Sequence, residues 1–166
     1  MSKETFIKMT GPFRRNAYMA RSLHIINEIL SKTIMLAYPV LIIYLFVVNK
    51  LQCFTNIVVP FLGFVFVTIF RKVFNRQRPY EKFDMPPVIP KEKKGQSFPS
   101  RHVFSAFIIA CAFYLNSPLW MIGAALFVFA FIIAVIRVVA GVHFISDVLV
   151  GALFAVGFAY IGFCLF

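Results

Sequence analysis

Five apolar runs, at 33–49, 53–70, 103–115, 119–136 and 144–166, take up most of the chain after residue 32. A helix of about 20 apolar residues matches the hydrocarbon thickness of a bilayer, so each run is a candidate transmembrane helix. The run at 103–115 is short, rising only about 20 Å as a helix. It spans only if the helix begins near Ser100 and its polar end sits in a protein-lined recess. The composition points the same way: 61% of residues are hydrophobic and 14% charged, against about a quarter charged in soluble domains. The sequence predicts an all-α integral membrane bundle of about five transmembrane helices and excludes an ordinary soluble domain.

Ahead of these runs, Met19, Leu23, Ile26 and Leu30 recur at helical intervals, with Arg21, Asn27, Glu28 and Lys32 on other faces. That pattern reads as an amphipathic helix in the membrane interface. The chain thus divides into an N-terminal interfacial segment, 1–32, and a membrane domain, 33–166. The one long polar connection, 71–101, holds Pro79, Pro86, Pro87, Pro90, Gly95 and Pro99, too much proline for a continuous helix. Cys53, Cys111 and Cys164 are far apart and read as small buried hydrophobes. The N-terminus lacks the layout of a cleaved signal peptide, so the first span is expected to direct insertion.

Against this apolar background stand 17 Lys+Arg and only 6 Asp+Glu, a formal net charge of +11. Six of the cations precede residue 33, Lys50 separates the first two runs, nine lie in 71–101, and Arg137 closes the fourth run. With five spans, all but Lys50 share one membrane face. The positive-inside rule makes that face cytoplasmic. Such basic ends also suit anionic lipids, and without a soluble basic domain nucleic acid is not an expected partner.

Three polar stretches on that face carry the candidate chemistry. In the first, Arg71 and Arg78 precede Pro79; they share a helical face, about 10 Å apart in rise, if the helix continues to the proline. The second, Ser97-Phe98-Pro99-Ser100-Arg101-His102, opens the third run, where free N–H groups suit an anion. The third runs from Arg137 through Gly141 to His143 and Asp147, the last two spaced i, i+4. His24, in the amphipathic segment, is read as structural, and arginines at helix ends commonly meet lipid headgroups. Asp147 differs, because a carboxylate four residues into an apolar run is costly without a partner.

Together these residues read as a phosphate-handling site. Guanidinium forks match phosphoryl oxygens and stabilise charge developing on them. Two histidines allow one to attack and the other to protonate, and an aspartate fixes a ring's tautomer and orientation. Neither an Asp/Glu cluster for magnesium or calcium nor a Cys/His set for zinc is present in the sequence. The chemistry therefore reads as metal-independent, with no cofactor.

The order Arg71-x6-Arg78-Pro79, Pro99-Ser100-x-His102 and Arg137-x5-His143-x3-Asp147 resembles the type 2 phosphatidic acid phosphatase superfamily, which includes glucose-6-phosphatase and vanadium haloperoxidases. The resemblance implies that His143 is the nucleophile forming a phosphohistidine, Asp147 its orienting partner, and His102 the general acid. It further implies that Arg71, Arg78, Ser100 and Arg137 bind phosphate, assisted by the Arg101 backbone N–H. Arg71 stands where the family has Lys, Arg101 where it has Gly, and Ile136 where a Ser often stands. Family members commonly have six spans and an extracytoplasmic site, opposite to the face given by the charge count.

The expected activity is therefore hydrolysis of a lipid phosphate or pyrophosphate of phosphatidic acid, phosphatidylglycerol phosphate or undecaprenyl pyrophosphate type. The alternatives are a lipid phosphotransferase and a non-catalytic lipid-phosphate-binding membrane protein. A lipid is favoured over a soluble sugar phosphate because the site lies at helix ends near the membrane surface, with no soluble domain to cap it.

Overall fold

The computed structural model describes residues 1–91, 93–118 and 120–164. Glu92, Leu119, Leu165 and Phe166, including the first residue of the fourth run and the last two of the fifth, lie outside them. The helices are α1 (Lys3–Arg15), α2 (Ala17–Val48), α3 (Lys50–Phe74), α4 (Pro79–Lys82), α5 (Arg101–Asn116), α6 (Trp120–Val139) and α7 (Ile145–Cys164). Side-chain caps set the early boundaries. The Asn16 carboxamide oxygen accepts from the Tyr18 and Met19 N–H groups, and that of Asn49 from Leu51 and Gln52. Each cap satisfies donors that have no partner inside the helix.

Among the described residues four helices, α2, α3, α6 and α7, are long and apolar enough to cross a membrane, and α5 is a shorter apolar helix. Their outward faces carry Leu36, Ile43, Phe46, Phe61, Phe131 and Leu153 exposed, as lipid-facing surfaces do. The short helix is instead the most enclosed, burying Val103, Phe104, Ala106 and every residue from Ile108 to Phe113. It packs chiefly against α6 and α7. Its N-terminal end stands in a recess, as the 103–115 run requires: Gly151 of α7 lies so close that a Cβ there would sit 2.7 Å from the Ser100 carbonyl oxygen. The Ser100 N–H also donates to the Asp147 carbonyl at 2.8 Å, locking the start of α5 to the start of α7.

The N-terminus departs from the sequence reading. Residues 17–32 do not form a separate interfacial helix but continue into the first span, so the boundary drawn at residue 33 falls inside α2. Ser31, Lys32 and Thr33 contain no helix breaker, and Leu23, Asn27, Ile34, Leu41 and Leu45 form one buried stripe along the helix. Met19 and Ile26, assigned to the apolar face of the shorter helix, are exposed. The amphipathic N-terminal helix is α1, whose Phe6 and Thr10 are buried while Lys3, Glu4 and Lys8 are not. Phe6 packs on the Phe83 ring, and its ring edge lies 2.9 Å from where a Cβ on Gly141 would stand. Gly141 has φ +75°, a conformation that favours glycine.

Candidate active site

The α3 helix stops at Phe74 because Asn75 turns into the left-handed region, φ 36°, with its N–H still bonded to the Arg71 carbonyl. Arg71 and Arg78 therefore do not share one continuous helix. Arg78 instead caps α4 and reaches the same place from the loop. Its Nε donates to the Gly95 carbonyl at 3.0 Å and its Nη1 to the Val142 carbonyl at 3.3 Å, while Arg71 Nη1 donates to the Pro99 carbonyl at 2.5 Å. Backbone oxygens thus hold both guanidiniums in place without neutralising them.

The chain between α6 and α7 is a tight turn in which the Val142 and His143 N–H groups both donate to the Arg137 carbonyl at 3.2 Å. His143 lies in this turn, before α7 begins, and Asp147 in the first turn of α7. His143 Nδ1 is 3.5 Å from Asp147 Oδ2 and 3.4 Å from Ser97 Oγ. Asp147, fully buried, accepts from the Phe144 N–H at 2.9 Å, from the Ser97 hydroxyl, and from Arg76 Nη1 at 2.8 Å. These donors account for the cost of burying the carboxylate. Burial, reinforced by Arg78 and Arg137, holds the His143 imidazole down to about 4 against the opposing pull of Asp147. Its ring is thus neutral at physiological pH.

His102 and His143, with Arg71, Arg78, Arg101 and Arg137, line one narrow cavity of about 30 Å³. Lys91 and Lys93 close it from the loop side. Six of the eight residues assigned to the site by sequence are therefore in its wall. Asp147 stands behind His143, and Ser100 at the N-cap of α5. Ser100 Oγ and Arg137 Nε are buried without a hydrogen-bond partner. Such groups are costly unless a ligand meets them.

A larger cavity of about 340 Å³ adjoins the first and shares Arg101 and His102 with it. Ile34, Phe64, Ala106 and Ile133 give it an apolar lining, and Glu28, Ser31 and Lys32 of α2 a polar edge. The Arg101 guanidinium lies 5.1 Å from the Phe64 ring centroid. The side chain that replaces the family's glycine thus sits where the two cavities meet.

A family model for the PAP2 superfamily matches residues 51–166, the stretch that contains all three motifs. The chain belongs to the PAP2 superfamily. The crystal structure of Aquifex aeolicus LpxE is similar at 31% identity and a TM-score of 0.74, covering 96% of this chain and 92% of that one. The fold is also that of a PAP2-type phosphatidylglycerolphosphate phosphatase from Bacillus subtilis, at 22% identity and a TM-score of 0.64, covering 95% of this chain and 81% of that one. No curated protein matches the chain by sequence. This PAP2 protein is accordingly a multi-pass membrane phosphatase, as its motifs imply.

Sequence reasoning passed over Arg76 and Ser97 of the PAP2 site. Both were visible inside the polar stretches, but their partner Asp147 lies 71 and 50 residues away. In the sequence Lys91 and Lys93 stand out only as charge in the long loop. Their position in the cavity wall follows from Val88 N–H bonding to the Ala140 carbonyl at 2.9 Å and from Ile89 packing with Leu23, Ile136 and Val142.

Proposed function

We propose that the protein hydrolyses a lipid phosphate without a metal, through a phosphohistidine on His143. The observation that carries this reading is the pairing of the two cavities. One is lined by cations and holds the buried His143, the other is apolar, and His102 stands at their junction. In this reading Arg71, Arg78 and Arg137, with Ser100 Oγ and the Arg101 N–H, hold the phosphoryl oxygens. The lipid moiety lies in the larger cavity, beside Met35 and Phe64 on the flank of the bundle.

Asp147 keeps the His143 proton on Nδ1, which frees Nε2 to attack phosphorus. His102 gives a proton to the departing alkoxide and takes one from the water that cleaves the P–N bond. Guanidiniums supply the charge that a metal ion would otherwise provide to the equatorial oxygens. Phosphatidic acid, phosphatidylglycerol phosphate and isoprenoid diphosphates all suit an apolar cavity joined to an anion site.

Single turnovers with radiolabelled lipid phosphate, stopped in alkaline detergent, test the mechanism. An alkali-stable, acid-labile label is expected on the wild-type protein and none on His143→Ala. Vanadate should inhibit and EDTA should not. Full turnover by purified His143→Ala would remove the proposal. With water as sole acceptor, release of inorganic phosphate separates a phosphatase from a phosphotransferase. Labelling of Lys94→Cys by an impermeant maleimide in intact cells tests the face: label indicates an extracytoplasmic site, its absence the cytoplasmic site favoured by charge.

A further inference from the structure

The cation-lined cavity holds more positive charge than one phosphoryl group requires. Arg71, Arg78 and Arg137, the three motif arginines, already face His143, and Lys91, Lys93 and Arg101 add three more cations. Among the described residues the acids close by are committed elsewhere. Asp147 is bonded to Arg76, Ser97 and the Phe144 N–H, and Glu81 Oε2 accepts from the Arg78 and Gly95 N–H groups at 2.9 and 2.8 Å. The backbone that carries the lysines is also held in place: the Tyr80 hydroxyl donates to the Lys93 carbonyl, and Ile89, two residues before Lys91, is buried.

We infer that Lys91 and Lys93, together with Arg101, form a subsite for a second phosphoryl group directly joined to the one attacked by His143, so that the protein acts on lipid diphosphates. This rests on the phosphatase reading above. His143 Nε2 bonds to the terminal phosphorus as the bond from that phosphorus to the bridging oxygen breaks. The electron pair leaves with a lipid monophosphate, and water then cleaves the P–N bond, giving inorganic phosphate and neutral His143. The departing monophosphate carries its negative charge against the two lysines and Arg101, at the junction leading to the apolar cavity. Burial and the neighbouring cations push the half-buried Lys91 ammonium below the ordinary lysine range, a repulsion that a second phosphoryl group relieves.

The test compares farnesyl diphosphate with farnesyl monophosphate, the same tail with and without the second group, using the full chain in phosphatidylcholine nanodiscs. Lys91→Gln/Lys93→Gln should lower kcat/KM for the diphosphate by about tenfold or more, and for the monophosphate by no more than about threefold. Lys91→Arg/Lys93→Arg should keep most of the diphosphate activity, which separates lost charge from a misfolded loop. Equal losses on both probes, no loss on either, or a wild-type protein that cleaves only the monophosphate would each overturn the subsite while leaving the phosphatase reading intact. A loss that develops only when phosphatidylglycerol is added, and equally on both probes, would assign the lysines to the bilayer surface and also overturn it. Failure of the wild-type protein to cleave farnesyl monophosphate, farnesyl diphosphate and phosphatidic acid alike would instead remove the phosphatase reading itself.

Discussion

The two ends of the bundle bury polar groups in opposite ways. At the end away from the site, the Tyr38 hydroxyl donates to the Asn56 carbonyl at 2.5 Å, Asn56 Nδ2 to the Gln52 carbonyl at 2.8 Å, and Asn116 Nδ2 to Asn56 Oδ1 at 3.4 Å. These neutral groups satisfy one another across α2, α3 and α5, as buried polar groups in stable cores do. At the site end the wall is a ring of cations facing each other, and Ser100 Oγ and Arg137 Nε have no partner. A self-satisfied cluster holds helices together, whereas an unsatisfied one of like charge is complete only with an anion. Substitutions at the first end should therefore change stability, and those at the second should change turnover.

The largest effect is expected from His143→Ala, which removes the proposed nucleophile and should lower kcat by about 10⁴-fold or more without lowering the melting temperature. Residual phosphoenzyme in that variant would break the contrast. Arg137→Gln comes next. On the proposed mechanism it withdraws a buried guanidinium from the developing phosphoryl charge and should cost about 10²- to 10³-fold in kcat/KM. Because it also relieves repulsion among the arginines, its thermal stability should not fall in proportion. An equal loss of folding and activity would place Arg137 with the structural groups instead.

How legible each end was in the sequence follows from the range of its interactions. The apolar runs and the three motifs are local patterns, so the spans and Arg71, Arg78, His102, Arg137, His143 and Asp147 could be picked out before any contact was known. The short 103–115 run even announced its recess, since the length deficit of α5 has to be met by polar residues at one end. What escaped depends on the path of the loop. The left-handed turn at Asn75 sends Arg76 back across the start of α7, and no periodicity encodes that reversal. The pairing of Asn56 with Asn116, 60 residues apart, escaped for the same reason. The division at residue 33 misplaced a boundary because a polar-to-apolar change in composition does not break a helix when no proline, glycine or cap stands there.

Arg76 sharpens the comparison, being a partly exposed cation that acts through a buried anion. Its guanidinium lies 4.4 Å from the Phe144 ring centroid and donates to Asp147 and Ser146, both at 2.8 Å. It touches neither cavity wall, so it is a positioning residue. Removing its charge leaves Asp147 more negative toward His143, which favours the imidazolium and raises the His143 pKa from its depressed value of about 4. In the proposed mechanism the neutral ring attacks phosphorus, so activity falls as pH drops through that pKa. Arg76→Gln should lower kcat by about tenfold at neutral pH and move the acid limb of kcat/KM upward, with Arg76→Lys largely restoring it. An unshifted acid limb would mean that Arg76 only braces the loop.

The smallest effect on turnover is expected at the far end. Asn116→Ala deletes the hydrogen bond to Asn56 Oδ1 and leaves that oxygen buried, which should cost about 1 kcal/mol and lower the melting temperature by roughly 2–4 °C. The Tyr38 and Gln52 contacts to Asn56 survive, so the helices keep their register. Since α5 runs from Asn116 to the site, a displaced helix would carry His102 with it. Unchanged kcat/KM together with the lower melting temperature would show that the far cluster stabilises the bundle without setting the site. A matching loss of activity would mean that α5 transmits strain along its length and that the two ends are not independent.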